Sequence, residues 1–241
     1  MMRCRRLGVA RAVATVFFFA NLGIAAVAAQ QPDAASVIRG IDAIALARFE
    51  SIAGFTVTER YAVYRNSDES HPAAEMTVKT TYRKETGKSY AILSESGSEI
   101  IRRFGLRPLL ESERSINLPA NREHSWFTSA NYEMKLQPGV RLIDGRQSLA
   151  LAIAPKRKAP NLIEGTLWVD AKDLSIVRIE GTASKSPSLW TAPPHMMRQY
   201  ANVRGFAMAT HARAESNSLL FGRTVVTIDY SDYEIQLSSA E

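Results

Sequence analysis

The feature that most constrains this chain is a long series of segments in which apolar and polar residues alternate, separated by short turns. "GFTVTERYAVYR" (residues 54–65) and "GTLWVD" (residues 165–170) are typical. Period-two alternation indicates a strand with unlike faces, and tight turns join antiparallel neighbours. Four predicted turns lie at Glu85-Thr86-Gly87, Pro138-Gly139, Asp144-Gly145 and Asp170 to Asp173. We therefore predict an α+β, mainly antiparallel β fold with about ten or eleven strands.

Helical periodicity interrupts the strands at two places. From Asp33 to Ile52, apolar residues recur every three or four positions, which predicts an amphipathic helix. A second region, which we call the helical insertion (residues 98–118), mixes apolar and charged residues between strands. Ser98 is a suitable cap for its first helix, and Gly105 and Pro108 predict that it divides into two or three short helices.

The N-terminal segment is typical of a secretory signal peptide. Four arginines precede an apolar run from Ala12 to Ala29, which ends in small residues. We predict cleavage after Ala29, so that residues 1–29 are the signal peptide and residues 30–241 form a single exported domain. An uncleaved membrane anchor is the alternative, although Asn21 interrupts the run and the run is short for a membrane span.

Cleavage changes what the composition means. The formal charge of the whole chain is +6, and it falls to +2 once the four arginines of the signal peptide leave. A basic charge therefore gives little support to nucleic-acid binding. The single cysteine, Cys4, leaves with the same segment, which predicts a mature protein without disulfide or thiol chemistry.

Motifs of catalytic or metal sites are missing from the sequence. The chain has no nucleophile elbow, phosphate-binding loop or dinucleotide fingerprint. Its histidines lack the spacing of zinc ligands; they are His71, His124, His195 and His211. Five carboxylates at strand ends fit solvated positions better than an acid–base pair: Asp170, Asp173, Glu180, Asp229 and Asp232. We predict a protein that is not an enzyme and has no cofactor or metal.

Large aromatic residues are spread over the strands of the second half. Trp168 even lies among the polar positions of its strand, between Thr166 and Asp170. A sheet with large apolar groups on both faces needs cover on both, or one face closed over a cavity by helices. Ordinary core packing is the alternative. We name Trp126, Trp168 and Trp190 as candidate cavity residues.

Four segments carry a resemblance to a known family. They are "SWFTSANYEMKL" (residues 125–136), "LIEGTLWVDAKDLSIVRIEG" (162–181), "SPSLW" (186–190) and "TVVTIDYSDYEI" (224–235). Together with the order of elements over residues 36–237, they resemble the LolA-like superfamily of outer-membrane lipoprotein-sorting and carrier proteins, including uncharacterised exported members.

The resemblance implies an unclosed β half-barrel whose concave face forms an apolar cavity under a helical lid. By position, the helical insertion would be the lid. Its apolar residues are Ile100, Ile101, Phe104, Leu106, Leu109 and Leu110. The implied function is non-catalytic carriage of lipoproteins or other acyl-chain amphiphiles by a monomer without cofactors, which contacts membrane-bound donor and acceptor proteins transiently. The alternative is an envelope protein-interaction or stress-sensing module that uses the same sheet.

Overall fold

Ten strands form one antiparallel sheet in the computed structural model, which describes residues 32–66, 68–186, 192–218 and 222–238. The strand order is β3-β2-β1-β10-β9-β8-β7-β6-β5-β4, so β3 and β4 are the two edges. The predicted unclosed antiparallel sheet is therefore confirmed. The strands are β1 Ile52–Arg65, β2 Ala74–Arg83, β3 Gly87–Gly97, β4 Tyr132–Ile143, β5 Arg146–Pro155, β6 Ile163–Asp170, β7 Ile176–Ala183, β8 His195–Val203, β9 Phe206–Ser218 and β10 Gly222–Leu237.

The helices lie at the two predicted places, and one further 3₁₀ turn follows the helical insertion. They are α1 Ala34–Ser51, α2 Glu99–Ile101, a π turn Arg102–Leu106, α3 Arg107–Ile116 and a 3₁₀ turn Arg122–Ser125. Asp33 caps α1 by accepting from the Ser36 N–H at 2.9 Å. Ser98 caps α2 as predicted, since its hydroxyl accepts from the Ile101 N–H at 3.5 Å. None of the helices in the described residues has the length and hydropathy needed to cross a bilayer.

The helical insertion is interrupted near Gly105 and Pro108, and the interruption is a π turn rather than a loop. The Arg107 N–H bonds to the Arg102 carbonyl, five residues earlier, so one extra residue is accommodated before α3 begins. Pro108 then lies in the first turn of α3, where an N–H is not needed. The insertion consequently runs as consecutive helical segments from residue 99 to residue 116.

The predicted turns are confirmed except at Pro138-Gly139. Asp144 and Gly145 link β4 to β5 with φ of 48° and 77°, the left-handed conformations that a two-residue hairpin turn requires. Pro138 and Gly139 instead lie inside β4, where the pairing with β5 shifts between Leu136 and Val140. Residues on both sides continue to pair with β5, so the dipeptide forms a bulge. The prediction of a turn there was wrong, and this leaves ten strands rather than eleven.

The two faces of the sheet can be followed residue by residue, because directly paired residues point to the same side. One row, in sheet order, is Leu151, Leu167, Ile179, Arg198, Ala212, Ile228, Tyr61 and Met76. The row on the opposite side is Trp168, Arg178, Gln199, His211, Asp229, Arg60 and Thr77. We call the first the covered face and the second the polar face.

Both helical regions pack on the covered face. Val37 and Ile41 of α1 join the buried cluster that contains Leu167, on the β5–β7 side. Leu106 and Leu110 of the insertion join a second cluster with Tyr61, on the β1–β2 side. Each fully buried aliphatic side chain contributes about 1.5–3 kcal/mol, so these contacts fix which face the helices cover.

Candidate functional site

Four of the six predicted residues of the helical insertion come together on the covered face. Leu106 and Leu110 are 1% and 2% exposed, and Ile101 and Leu109 pack against the same cluster. Positions 106, 109 and 110 share one side of a helix, which explains their common direction. They meet the apolar side chains of β1, β2 and β10, including Tyr61.

The other two predicted residues of the insertion point away from the sheet. Ile100 and Phe104 are 69% and 70% exposed. The Arg103 guanidinium lies 5.4 Å from the centre of the Phe104 ring. The insertion thus has an apolar inner side and an outer side on which two large apolar side chains meet solvent.

Trp126 and Trp168 do not share one site. Trp126 packs on Phe49 of α1, with ring centroids 5.2 Å apart. Trp168 lies on the polar face between Ala150 and Arg178, and its indole N–H is buried without a hydrogen-bond partner among the described residues. Its strand neighbours Leu167 and Val169 face α1 instead. Trp190 lies outside the described residues.

Charged side chains lie beneath the insertion, at positions that the sequence analysis did not single out. The Glu113 carboxylate on α3 is 3.3 Å from the Lys88 ammonium on β3 and 3.7 Å from the Arg198 guanidinium on β8. Lys88 is also 3.7 Å from Glu59 on β1, whose carboxylate accepts a hydrogen bond from the Tyr61 hydroxyl. We call Glu59, Lys88, Glu113 and Arg198 the ion cluster.

The members of the ion cluster stabilise one another's charges. Burial opposes the ionisation of Glu113, but Lys88 and Arg198 outweigh it and hold the pKa of Glu113 below its usual value. Burial likewise disfavours the charge on Lys88, and Glu113 and Glu59 outweigh it and raise the pKa of Lys88. Tyr230, Tyr200 and Glu113 raise the pKa of Arg198. Glu113 therefore joins the insertion to two different strands by charge.

Signals for part of the ion cluster were present in the sequence. Glu59 occupies an inward position of β1 between Val57 and Tyr61, where an acid is unusual. Glu113 follows Leu109 and Leu110 at helical spacing, which places it on the inner side of the insertion. Their partners come from strands far away in the sequence, and no local pattern connects them.

Arg48 of α1 is a further cation over the covered face. Its guanidinium donates to the Met208 sulfur at 3.3 Å, and its Nε is buried with no hydrogen-bond partner in the described part of the chain. No carboxylate of the described residues lies within ion-pair distance of it. Burial lowers the pKa of Arg48, while Tyr200, Tyr233 and Tyr82 oppose this effect. It is a partly buried cation that lacks an acidic partner in the described structure.

Carboxylates expected to be solvated take part in ion pairs. Asp170 accepts from Arg146 at 2.8 Å, and Asp229 lies 2.7 Å from the His211 ring. Within residues 32–66, 68–186, 192–218 and 222–238, no group of three or more His, Cys, Asp or Glu side chains is arranged to hold a metal ion.

Comparison with known proteins finds similarity to solved structures. No protein-family model matches the chain, and no curated protein matches its sequence. A LolA superfamily protein from Nitrosomonas europaea is 14% identical with a TM-score of 0.46, over 85% of this chain and 94% of that one. An outer membrane lipoprotein-sorting protein domain from Vibrio parahaemolyticus is 16% identical with a TM-score of 0.46, over 85% and 95%. A DUF1329 family protein from Desulfovibrio piger is 14% identical with a TM-score of 0.41, over 85% and 95%.

Proposed function

We propose that this protein is a non-catalytic periplasmic carrier of lipoproteins or other acyl-chain amphiphiles. The observation that supports it is the covered face, an apolar surface of an unclosed sheet under a helical insertion whose inner side is also apolar. Acyl chains gain about 0.8 kcal/mol for each buried CH₂ group and need no directed polar partner. Such a surface suits them once the insertion moves away.

In this proposal the helical insertion is the lid. Leu106, Leu109 and Leu110 occupy the covered face in the closed state, and acyl chains replace them in the open state. A ligand that binds only the open state shifts the balance toward it. Ile100 and Phe104, which the closed state leaves exposed, are then the surface that membrane-bound donor and acceptor proteins contact. Tyr61, Met76 and Ile228, which pack against the insertion, line the acyl site, whereas Leu167 and Val169 stay under α1.

The direct test is the content of the purified protein. The chain is expressed with its N-terminal segment, and the mature form is purified from the periplasm without detergent. Native mass spectrometry and organic extraction should then reveal bound acyl chains in nearly stoichiometric amount. An empty protein that also fails to take up a fluorescent fatty acid would contradict the proposal.

Variants of the insertion locate the ligand. The double variant Leu109→Ser/Leu110→Ser should retain less acyl ligand, because it makes the inner side of the lid polar. The matched control is Leu93→Ser on the edge strand β3, where the side chain is 59% exposed. If both variants retain the same amount of acyl ligand, the insertion does not contact the ligand.

A second candidate is an envelope protein-interaction or stress-sensing module. The edge strands favour it, since β3 and β4 each pair with one strand only among the described residues and carry the exposed side chains Leu93 and Leu142, at 59% and 72%. The same purification separates the two functions. Peptides of a partner cross-linked to an edge strand, in a protein without acyl chains, would support the module.

A further inference from the structure

We infer that the covered face holds a binding site for the anionic headgroup of the amphiphile, a phosphate or a carboxylate, formed by Arg48, Arg198 and Tyr200. This inference rests on the proposed function and specifies the chemical class of its ligand. Arg48 and Arg198 supply the charge, and the Tyr200 hydroxyl supplies a further polar group.

The count of charges at the site supports this assignment. Among the described residues, the ion cluster places Lys88 and Arg198 with two acids, Glu59 and Glu113, and Arg48 of α1 adds a third cation over the same face. Glu113 is the acid that belongs to the insertion, so movement of the lid removes it from Lys88 and Arg198. Glu59 then remains beside Lys88, and two guanidinium groups are left without a carboxylate among the described residues.

Leaving such cations unpaired is unfavourable, because a partly desolvated charge needs a counter-charge. The Glu113 carboxylate therefore occupies, in the closed state, the place that an anionic headgroup takes in the open state. When the headgroup replaces the Glu113 carboxylate, the lid can open while Arg198 keeps a negatively charged partner. A neutral amphiphile offers no such exchange.

Arg48 extends the site beyond the ion cluster. It belongs to α1, so it stays over the sheet when the insertion moves, and its Nε already lacks a partner in the closed state. Tyr200 lies two residues from Arg198 on β8, so both side chains point to the same face, and it packs against the cluster that contains Val37 and Ile41 of α1, the helix that carries Arg48. Guanidinium groups bind phosphate and carboxylate oxygens in pairs, which suits a headgroup held between them.

The test compares two amphiphiles with the same acyl chain, lysophosphatidic acid and a neutral monoacylglycerol, by displacement of an uncharged fluorescent lipid. The wild-type protein should bind lysophosphatidic acid about tenfold more tightly, a difference of about 1.4 kcal/mol. Arg48→Met should lose this preference and keep its affinity for the monoacylglycerol. The control is Arg39→Met, an exposed arginine on the same helix, which should keep the preference.

The outcomes separate this inference from the proposed function. Equal binding of both amphiphiles by the wild type, or a preference that survives Arg48→Met, overturns the headgroup site while the carrier function stands. If neither amphiphile binds, the carrier function fails. Inorganic phosphate that displaces lysophosphatidic acid and matches its affinity would assign the site to the free ion. Should Arg48→Met fail to fold, Tyr200→Phe removes only a hydroxyl and should reduce the same preference.

Discussion

Replacing Glu113 with Gln tests whether charge holds the helical insertion on the sheet. The glutamine keeps the size of the side chain and removes its negative charge, so Lys88 retains Glu59 but Arg198 loses its carboxylate. We expect the variant to unfold more easily and its insertion to detach more often. The matched control is Glu111→Gln on the same helix, because Glu111 pairs with its exposed neighbour Arg114.

The expected magnitude follows from the exposure of the two acids. Breaking a fully buried ion pair costs about 3–5 kcal/mol. The Glu113 side chain is 22% exposed, so water reduces this cost, and we expect a loss of about 2 kcal/mol in the free energy of unfolding. In a domain of this size that is a fall of about 4–8 °C in Tm. Glu111, whose side chain is 53% exposed, should contribute far less, because solvent screens its pair with Arg114.

Two measurements check this prediction. Calorimetry gives Tm for the wild type and both variants, and hydrogen exchange followed by mass spectrometry reports local opening of residues 99–116. Glu113→Gln should exchange faster there while the central strands keep their protection. If its Tm and exchange equal those of Glu111→Gln, charge does not hold the insertion and the reasoning is refuted.

The difference between wild type and Glu113→Gln should depend on pH with a defined sign. The pKa of Glu113 is lowered in the folded protein, so its contribution is fully present above its ordinary value of 4.5 and is lost as the pH falls through the folded pKa. The deficit of the variant should stay constant from about pH 6 to pH 8 and shrink in acid below about pH 4.5. A deficit that grows in acid would contradict the assigned charges.

Three other predictions concern packing and processing. Leu110→Ala should lower the free energy of unfolding, measured by chemical denaturation, by about 2–5 kcal/mol, since the side chain is 2% exposed. Leu93→Ala, at an exposed position, should change it by less than about 0.5 kcal/mol. Gly165→Ala should lower the free energy of unfolding by about 1–3 kcal/mol, because an added Cβ would lie 2.2 Å from a backbone oxygen of the neighbouring strand. Gly105→Ala should be tolerated, since the nearest atom to its added Cβ lies at 3.8 Å. Similar Tm values for the two variants would refute the steric argument. N-terminal sequencing of the exported protein should begin at Gln30, and an intact Met1 would favour the uncleaved anchor.

The site was harder to predict from the sequence than the fold. Helical spacing and hydropathy are local signals, and they singled out Leu106 and Leu110, which are buried; the role of these residues in a lid stays a prediction. Ile100 and Phe104 have the same hydropathy but the opposite direction on the helix, which composition does not reveal. Arg198 was missed because its partner Glu113 lies far away in the chain and only the fold brings them together.

Local sequence patterns predict the strands, most of their turns and the Ser98 cap, because these depend on periods of two or 3.6 residues and on the conformations that particular residues allow. The tertiary structure decided which of the two residue sets of a strand is covered. Alternation in β6 separates Trp168 from Leu167 and Val169, but only the position of α1 assigns the second set to the interior. The tertiary structure also makes Pro138-Gly139 a bulge and brings Glu113, Lys88 and Arg198 together, since pairing between distant strands is a property of the whole sheet.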